Sequence, residues 1–432
     1  MNYQKSKIKE GINLHVMKTN KFKTNLVTIF LTLPLTRQNV TKEALISAVL
    51  RRGSSNYQTS EEMSIALEEM YGATFDCGIE KMGDTHVLKF YIETINEEFL
   101  PEKEDILKMA LEMLCDIVFN PLIQNGAFKK DYVTMEKQNL KQIIEGKIDN
   151  KARFALDRCI EEMYQNKPYG LYKYGYVEDL EEITPQDLYN TYKQVIQNAK
   201  IDIFISGNVE SKTIENVIKE NEQIKILQER NPDVSKNEKI EENTKPNQVS
   251  ESMDVTQGKL VMGLTVNEDT LEDKYITLVY NTILGGGANS KLFQNVREKA
   301  SLAYTASSNY IRQKSNIFIR CGIEIQNKEK AEEIIKQQLN DMKNGEFSEE
   351  DLTNAKTSII ATIDFIPDEQ DTQISYYFGQ EFTNEVVTPE EYKKRVEKVT
   401  KEQVIKIANR VAIHTIYFLK DNSKEESIHA SH

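Results

Sequence analysis

The most constraining feature of this chain is an order of elements that occurs twice, once on each side of a polar segment. Residues 228–254, QERNPDVSKNEKIEENTKPNQVSESMD, lose apolar periodicity and are rich in Lys, Glu, Asn, Pro and Ser, a composition typical of linkers. Before this segment, residues 183–207 predict a threonine-capped helix and then an apolar strand. Residues 399–420 repeat that order near the end of the chain. The repetition indicates an internal duplication.

Strand pairs and long helices also occupy corresponding places in the two halves. The predicted strands are residues 75–80 and 85–93, and then 304–310 and 317–324. The predicted helices are residues 103–119 and 126–147, and then 328–344 and 348–364. Strands followed by a helical layer predict an α+β fold of two homologous α/β-sandwich halves, each with an antiparallel-rich sheet. We therefore predict domains at 1–227 and 255–432, joined by the polar linker 228–254.

Composition and charge narrow the class of protein. The 432 residues carry a formal net charge of −13, so the electrostatic attraction that drives binding to nucleic acids or anionic membranes has the wrong sign. No apolar run approaches the ~18 residues of a membrane-spanning helix, and the N-terminal residues lack the apolar core of a signal peptide. We expect a cytoplasmic protein. Its four cysteines form no C-x-x-C pair, which favours reduced, buried thiols.

Residues 44–54 read ALISAVLRRGS, with Ala44, Ser47 and Ala48 at the first, fourth and fifth places. The segment resembles one that M16 peptidases (the pitrilysin, insulinase and mitochondrial processing peptidase family) write as H-x-x-E-H, a few residues, and then Gly-Ser or Gly-Thr. In that motif two histidines one helical turn apart bind zinc, and the glutamate deprotonates the metal-bound water. Ala and Ser supply neither ligand nor base, so these positions predict a degenerate zinc site.

The resemblance extends the degenerate site to a fourth position. The family's third zinc ligand is a glutamate on a later helix, seven residues after another acidic residue, which aligns Glu136 with the first and Ile143 with the ligand. We therefore expect no cofactor on this chain. Its histidines offer no replacement, because no two are neighbours on one face of an apolar-periodic segment. They are His15, His86 and His414, with His429 and His432 in a polar tail.

Residues 284–304, LGGGANSKLFQNVREKASLAY, resemble the M16 segment LGGG…SxLFxxxREKxxLAY over its whole length. The resemblance implies that Arg297 and Tyr304 reach toward an active site made by the other half or by another subunit. There they would contact the bound peptide or stabilise its developing oxyanion, because guanidinium and phenol groups are fixed hydrogen-bond donors. A purely structural interpretation stays open, with the glycines ending a helix, Arg297 pairing with Glu298 and Tyr304 packing half in the core.

The resemblance covers nearly the whole chain and is nearest to a YmfF-like branch whose members lack H-x-x-E-H. It implies a clamshell of two halves that pairs with a zinc-bearing sibling. The expected function is therefore a non-catalytic subunit of a heterodimeric processing peptidase, inactive alone, that binds peptide or unfolded protein. Zinc is expected in the partner. Some relatives are named for an association with elongation factor P modification.

Two alternatives stay open on the sequence. The first is a stand-alone scaffold, or pseudopeptidase, that binds a peptide or protein without any proteolysis. The second is an enzyme with a non-metal mechanism, which has no support because no Ser-His or Cys-His constellation is recognisable and Ser47 has no predicted base nearby. The aromatic residues 154–176 are interpreted either as the lining of a peptide groove or as core packing.

Overall fold

The computed structural model of the protein describes residues 2–102, 104–232, 234, 238, 240, 241, 243, 245–383 and 385–422. His429, His432 and the predicted helix start at Lys103 lie outside the described residues. The strands β1 to β13 are Asn2–Lys9, Ile12–Lys18, Thr24–Pro34, Thr74–Met82, Thr85–Ile95, Ile123–Gln124, Ala127–Phe128, Lys200–Gly207, Asn247–Ser252, Gly258–Val266, Ala303–Ile311, Asn316–Ile323 and Val411–Lys420. The helices α1 to α15 are Val40–Leu50, Ser60–Glu69, Ile106–Phe119, Lys130–Glu145, Lys151–Met163, Val177–Glu182, Pro185–Asn198, Ser211–Glu220, Glu222–Ile226, Leu271–Gly285, Lys328–Asn344, Glu349–Asp364, Gln370–Gln380, Pro389–Glu397 and Lys401–Ala408.

The first of two compact units comprises the described residues of 1–146, 171–236 and 367–384. Its six-stranded sheet has the order β1-β2-β8-β3-β5-β4. Neighbouring strands are antiparallel except β2 and β8, which are parallel. The central strand β3 is buried over nearly its whole length, as expected for a strand that is covered on both faces.

The second unit comprises the described residues of 147–170, 237–366 and 385–432. Its five-stranded sheet has the order β11-β12-β10-β13-β9, and only β13 and β9 run parallel. This order matches β4-β5-β3-β8-β2 of the first unit, with the parallel pair at the same place. The predicted α+β class with two homologous halves is confirmed.

The local elements follow the sequence pattern closely. The predicted strand pairs are β4 with β5 and β11 with β12, and the predicted long helices are α3, α4, α11 and α12. Thr184 and Thr400 cap α7 and α15, and each accepts a hydrogen bond from the backbone N–H of the third residue of its helix. Helix α4 begins at Lys130 rather than at residue 126, because Ala127–Phe128 pairs with Ile123–Gln124 in a short hairpin.

Helices cover both faces of the first sheet. Helices α1, α3 and α7 share one apolar core with it, and their inward residues include Leu45, Leu114 and Leu188. On the opposite face, Phe378 of α13 stacks on Phe30 of β3, with ring centroids 3.8 Å apart. Helix α13 comes from the C-terminal half of the sequence. It nevertheless belongs to the first unit, because its apolar residues complete this core.

The second sheet receives a helix from the N-terminal half of the sequence. Helix α5 packs on β10 and β13, where Phe154 and Met163 share a core with Val261 and Tyr417. The compact units therefore differ from the predicted division at 1–227 and 255–432 by an exchange of one segment each. The sequence pattern does not indicate this exchange, because an amphipathic helix does not show which sheet it covers.

The predicted linker 228–254 is only partly described, and one part of it is regular structure. Residues 247–252 form β9, which pairs with β13 at an edge of the second sheet. The strand NQVSES lacks apolar residues at most positions because its residues alternate between half-buried and exposed. An edge strand with one solvated face needs no apolar run, so a strand of this kind has the same polar composition as a linker, and the prediction of linker at 247–252 is wrong.

Candidate functional site

Helices α1 and α4 and strand β4 enclose a pocket of about 520 Å³ in the first unit. Helix α1 is buried at nearly every position, so its small residues set the floor of the pocket. A strap of residues 171–174 contributes Tyr174 to the wall. The lining residues are Ala44, Ser47, Ala48, Arg51, Arg52, Ser60, Cys77, Gly78, Ile79, Glu136, Asn139, Leu140, Ile143 and Tyr174.

The structure brings all four predicted degenerate positions to this one pocket. Ala44, Ser47 and Ala48 come from α1, and Ile143 comes from α4. The residues present do not fit zinc, because methyl, hydroxymethyl and butyl groups offer no ligand set for it. Among the lining residues only Cys77 and Glu136 are of the His, Cys, Asp or Glu types, and zinc requires about three such ligands.

Glu136 pairs with an arginine in place of a metal ion. Its carboxylate is buried and forms an ion pair with the Arg52 guanidinium, while Asn139 Nδ2 donates to its second oxygen at 3.2 Å. A guanidinium therefore balances the buried charge in this pocket, which is what a buried carboxylate requires. Both of its oxygens have a donor within the protein.

The pocket also lacks an activated nucleophile among its described residues. Burial raises the pKa of the Cys77 thiol to about 11, and the thiol donates to the Ser47 carbonyl at 3.4 Å. A protonated thiol is a poor nucleophile. No histidine is among the lining residues to serve as a base for Ser47. The described lining residues therefore contain neither a set of zinc ligands nor an activated nucleophile.

A buried polar chain beside the pocket was missed by the sequence analysis. His86 Nε2 donates to the Lys173 carbonyl at 2.8 Å, and His86 Nδ1 lies 2.6 Å from Glu43 Oε2. Glu43 immediately precedes Ala44 on α1, and both Glu43 and His86 are buried. These two contacts of His86 connect the strap of residues 171–174 to α1. A glutamate next to the motif was the one available signal, but its partners are distant in sequence.

A second buried cluster joins β2, β8 and the end of α13 in the first unit. His15 Nε2 donates to Asp202 Oδ1 at 3.0 Å, and one ligand atom from each of His15, Asp202 and Glu381 lies within 4.8 Å of the others. Lys200 Nζ lies 3.0 Å from Asp202 and 2.8 Å from Glu381, and Lys5 Nζ lies 2.7 Å from Glu381. Two ammonium groups thus balance two carboxylates, so the cluster is a charge network.

The electrostatics of this cluster agree with that interpretation. Burial alone would raise the pKa of Asp202, but the His15 hydrogen bond and the Lys200 ammonium lower it to about 2. Burial and the two carboxylates likewise oppose each other at Lys200, and its pKa is raised. Both groups are therefore charged near neutral pH. Sequence spacing did not reveal the cluster, because its members lie far apart in the chain.

The predicted donors lie in the second unit, at one end of its sheet. Tyr304 is at the start of the edge strand β11 and is 64% exposed. Arg297 lies in the π-helix Phe293–Lys299, with its guanidinium 4.5 Å from the centroid of the Phe293 ring. Its Nε forms an ion pair with Glu298 Oε1 at 3.6 Å, as the structural interpretation of Arg297 expects, and its side chain is 44% exposed. Both side chains are accessible to a ligand, and Tyr304 is not packed in the core.

The glycines before them have a structural role. Helix α10 ends at Gly285, where a Cβ atom would lie 2.4 Å from the Ser308 backbone nitrogen. A Cβ on Gly286 would approach the Thr282 Cα within 2.6 Å. Close packing at the helix end therefore requires these two glycines. At Gly287 a Cβ would meet open space, so packing does not explain the third.

The aromatic residues 154–176 divide between the two interpretations. Phe154, Tyr164 and Tyr169 are buried in the core of the second unit, with the Tyr164 and Tyr169 rings 4.9 Å apart. Tyr174 instead lines the pocket of the first unit. Core packing thus explains the first three side chains, and the lining of a binding site fits only the last.

The duplicated α+β fold and the helix-lined pocket without metal ligands define a metallopeptidase relative that has lost its zinc site. Sequence comparison agrees, since residues 182–359 match the family described as the Peptidase M16 inactive domain. The chain is 36% identical over 416 residues to the "Probable inactive metalloprotease YmfF" of Bacillus subtilis (strain 168), covering 95% of this chain and 96% of that protein. The chain belongs to the M16 metalloprotease family and is an inactive homologue of its peptidases.

Solved structures share the fold over nearly the whole chain. The crystal structure of a conserved protein from Enterococcus faecalis V583 has a TM-score of 0.90 and 26% identity, covering 98% of this chain and 100% of that one. A peptidase M16 inactive domain from Pseudomonas fluorescens has a TM-score of 0.80 and 18% identity, with 98% and 99% covered. Within the described residues, no helix is both long and apolar enough to cross a membrane.

Proposed function

We propose that this protein is the non-catalytic subunit of a zinc-dependent M16 processing peptidase. It binds the peptide and donates Arg297 and Tyr304 to the active site of a partner chain that carries H-x-x-E-H. The zinc belongs to that partner, and the pair works in the cytoplasm. The observation that carries the proposal is that the pocket has no zinc ligand at the motif positions Ala44, Ala48 and Ile143, while Arg297 and Tyr304 are both exposed.

The donors support a role in trans through their exposure. A buried Tyr304 would be satisfied by packing, but 64% of it is accessible, and a large exposed aromatic side chain is a common contact for a partner. Stacking on the Phe293 ring limits the rotation of the Arg297 side chain. A guanidinium held in this way costs little reorganisation when an oxyanion forms.

Peptide binding is supported by the position of β4. This strand is at an edge of the first sheet, and Cys77, Gly78 and Ile79 from its middle line the pocket. An extended peptide adds to such an edge through main-chain hydrogen bonds, while pockets beside the edge take alternate side chains. Ala44 and Ala48 also line the pocket, and their small side chains leave room for a side chain of the peptide.

A reconstitution experiment tests the proposal. Peptide hydrolysis is measured for this chain alone, for an H-x-x-E-H sibling from the same organism alone, and for their mixture, and only the mixture is expected to be active. In the mixture, Arg297→Ala with Tyr304→Phe should lower turnover ~10²-fold, as loss of oxyanion donors does. Arg320→Ala, an exposed arginine on the neighbouring strand β12, is the matched control and should leave turnover unchanged. Full activity of the double variant in an intact complex would refute donation in trans.

The alternative is a stand-alone peptide-binding scaffold without proteolysis. The same pocket and edge strand favour it, because neither requires a second chain. The two proposals differ in the mixture. A scaffold binds peptide alone and leaves the hydrolytic rate of any sibling unchanged.

A further inference from the structure

The outward side of β4 can be traced from its turn. Among the described strands β4 pairs with β5 alone, and Met82 faces Thr85 across a two-residue turn. In an antiparallel pair, the backbone groups of successive residues point alternately toward and away from the partner strand. Counting back from the turn, the residues that point away from β5 are Lys81, Ile79 and Cys77. A peptide that pairs with β4 must bond to the backbone of these residues.

Two side chains already occupy this edge beside the pocket. The Cys77 N–H donates to Asp76 Oδ1 at 2.8 Å, and Lys173 Nζ donates to the Ile79 carbonyl at 2.6 Å. The Asp76 carboxylate oxygen therefore occupies the position where a carbonyl of an added strand would accept the Cys77 N–H. The Lys173 ammonium group occupies the position where an N–H of the added strand would donate to the Ile79 carbonyl. Natural sheets use charged side chains in this way to prevent other strands from pairing with their exposed edges.

Further contacts hold the Asp76 side chain and the Lys173 backbone in place. Arg51, which lines the pocket, lies 3.1 Å from Asp76 Oδ1. The Lys173 backbone is fixed by the bond from His86 to its carbonyl, and His86 is fixed in turn by Glu43. The Asp76 side chain is thus supported from the C-terminal end of α1, and the Lys173 backbone from β5.

We propose that Asp76 and Lys173 are caps that compete with peptide for the edge of β4. The ligand is an extended peptide with free backbone amides, and it binds by displacing both side chains. Its carbonyl takes the Cys77 N–H from Asp76, and its N–H takes the Ile79 carbonyl from Lys173. This inference rests on the proposed peptide-binding function and adds to it the two residues that limit access.

Peptide affinity tests the caps. A library of fluorescein-labelled ten-residue peptides without proline is titrated against the wild type and against Asp76→Ala with Lys173→Met, with fluorescence anisotropy as the readout. Loss of a hydrogen bond to a charged group changes an equilibrium by about tenfold, so the double variant should bind the same peptides with a Kd at least about tenfold lower. Circular dichroism and thermal melts establish that both proteins are folded.

Matched variants separate this effect from a general change of charge. Glu112→Ala with Lys108→Met removes an exposed pair on α3 and should leave the Kd unchanged. The single variant Asp76→Asn, in which Lys173 is unchanged, keeps an acceptor oxygen at position 76. Its Kd should be close to that of the wild type. N-methylation of alternate amides in the tightest-binding peptide should abolish its binding, because it removes the donors that pair with a strand edge.

Each outcome separates the inference from the function on which it rests. Equal Kd values for the wild type and the double variant would refute the proposal that Asp76 and Lys173 act as caps, and the proposed peptide binding would still stand. Equal binding of the N-methylated peptide also overturns them, because the site is then not a strand edge. If neither protein binds any peptide, both proposals fall. Without peptide, hydrogen exchange at the Cys77 amide should be faster in Asp76→Ala, and an unchanged rate would overturn its role as a cap.

Discussion

Rebuilding the zinc ligands tests whether this pocket is the remnant of a metal site. Ala44 and Ala48 are one turn apart on α1, and Ile143 faces the same pocket from α4. The triple variant Ala44→His, Ala48→His and Ile143→Glu supplies three ligands and leaves a fourth position for water. We expect it to bind one zinc ion per chain.

The magnitude follows from the burial of the three sites. Ala44 is 3% exposed, so an imidazole there displaces packed neighbours at a cost of ~1–3 kcal/mol. Ile143 is 47% exposed and should tolerate the change. Zinc at 100 times its Kd then stabilises the variant by ~2.7 kcal/mol. For a unit of roughly 200 residues that corresponds to a rise in Tm of about 5–10 °C over the metal-free variant.

The assay compares zinc content after dialysis with the Tm in the presence of zinc and of chelator. The matched control changes Ile143 to Gln in place of Glu, which leaves two strong ligands and should bind zinc more weakly. The wild type should show no change in Tm with zinc. A triple variant that folds by circular dichroism but retains no zinc would refute the alignment of these positions with a metal site.

Two further predictions concern stability. Residues 1–227 expressed alone lack α13, which leaves the Phe30 face of the first sheet uncovered. We therefore expect this fragment to aggregate or to bind a hydrophobic dye such as ANS. A fusion that adds residues 367–384 to the fragment should restore a cooperative thermal melt. A monodisperse, cooperatively folded 1–227 would contradict the exchange of segments. Asp202 has a pKa lowered to about 2 in the folded protein, so its contribution to stability is complete above the unfolded value of 3.8 and is lost as pH falls toward 2. Between pH 5 and pH 2, the free energy of unfolding measured with urea should fall by about 2 kcal/mol more in the wild type than in Asp202→Asn. The same dependence of this free energy on pH in both proteins would contradict the prediction.

Much of the local structure was predictable because it depends on residues close together in the chain. The strand pair β4 and β5 and the helix α11 agree with the apolar periodicity almost to the residue. The polar edge strand β9 was missed, because pairing with β13 rather than apolar content stabilises it. The boundaries at 228–254 likewise did not show that α5 and α13 are exchanged.

The candidate site was predictable in its losses and less so in its contacts. Residue identity alone excluded zinc ligands at Ala44, Ala48 and Ile143, and the structure placed all of them in one pocket. The cation that replaces a metal beside Glu136 is Arg52, which no spacing rule connects to it. The caps of β4 were also out of reach, because Lys173 lies in a different part of the chain from Ile79.

The sequence by itself determined that this chain is a duplicated α+β protein and that its M16 motif has no metal ligands. Both properties follow from side-chain chemistry and short-range periodicity, which can be read along the chain. Only the tertiary structure decided which helix completes each sheet, which cation pairs with each buried carboxylate, and what covers the edge of β4. These depend on contacts between residues far apart in sequence, where burial makes each unpaired charge or backbone group costly and so selects one partner among many.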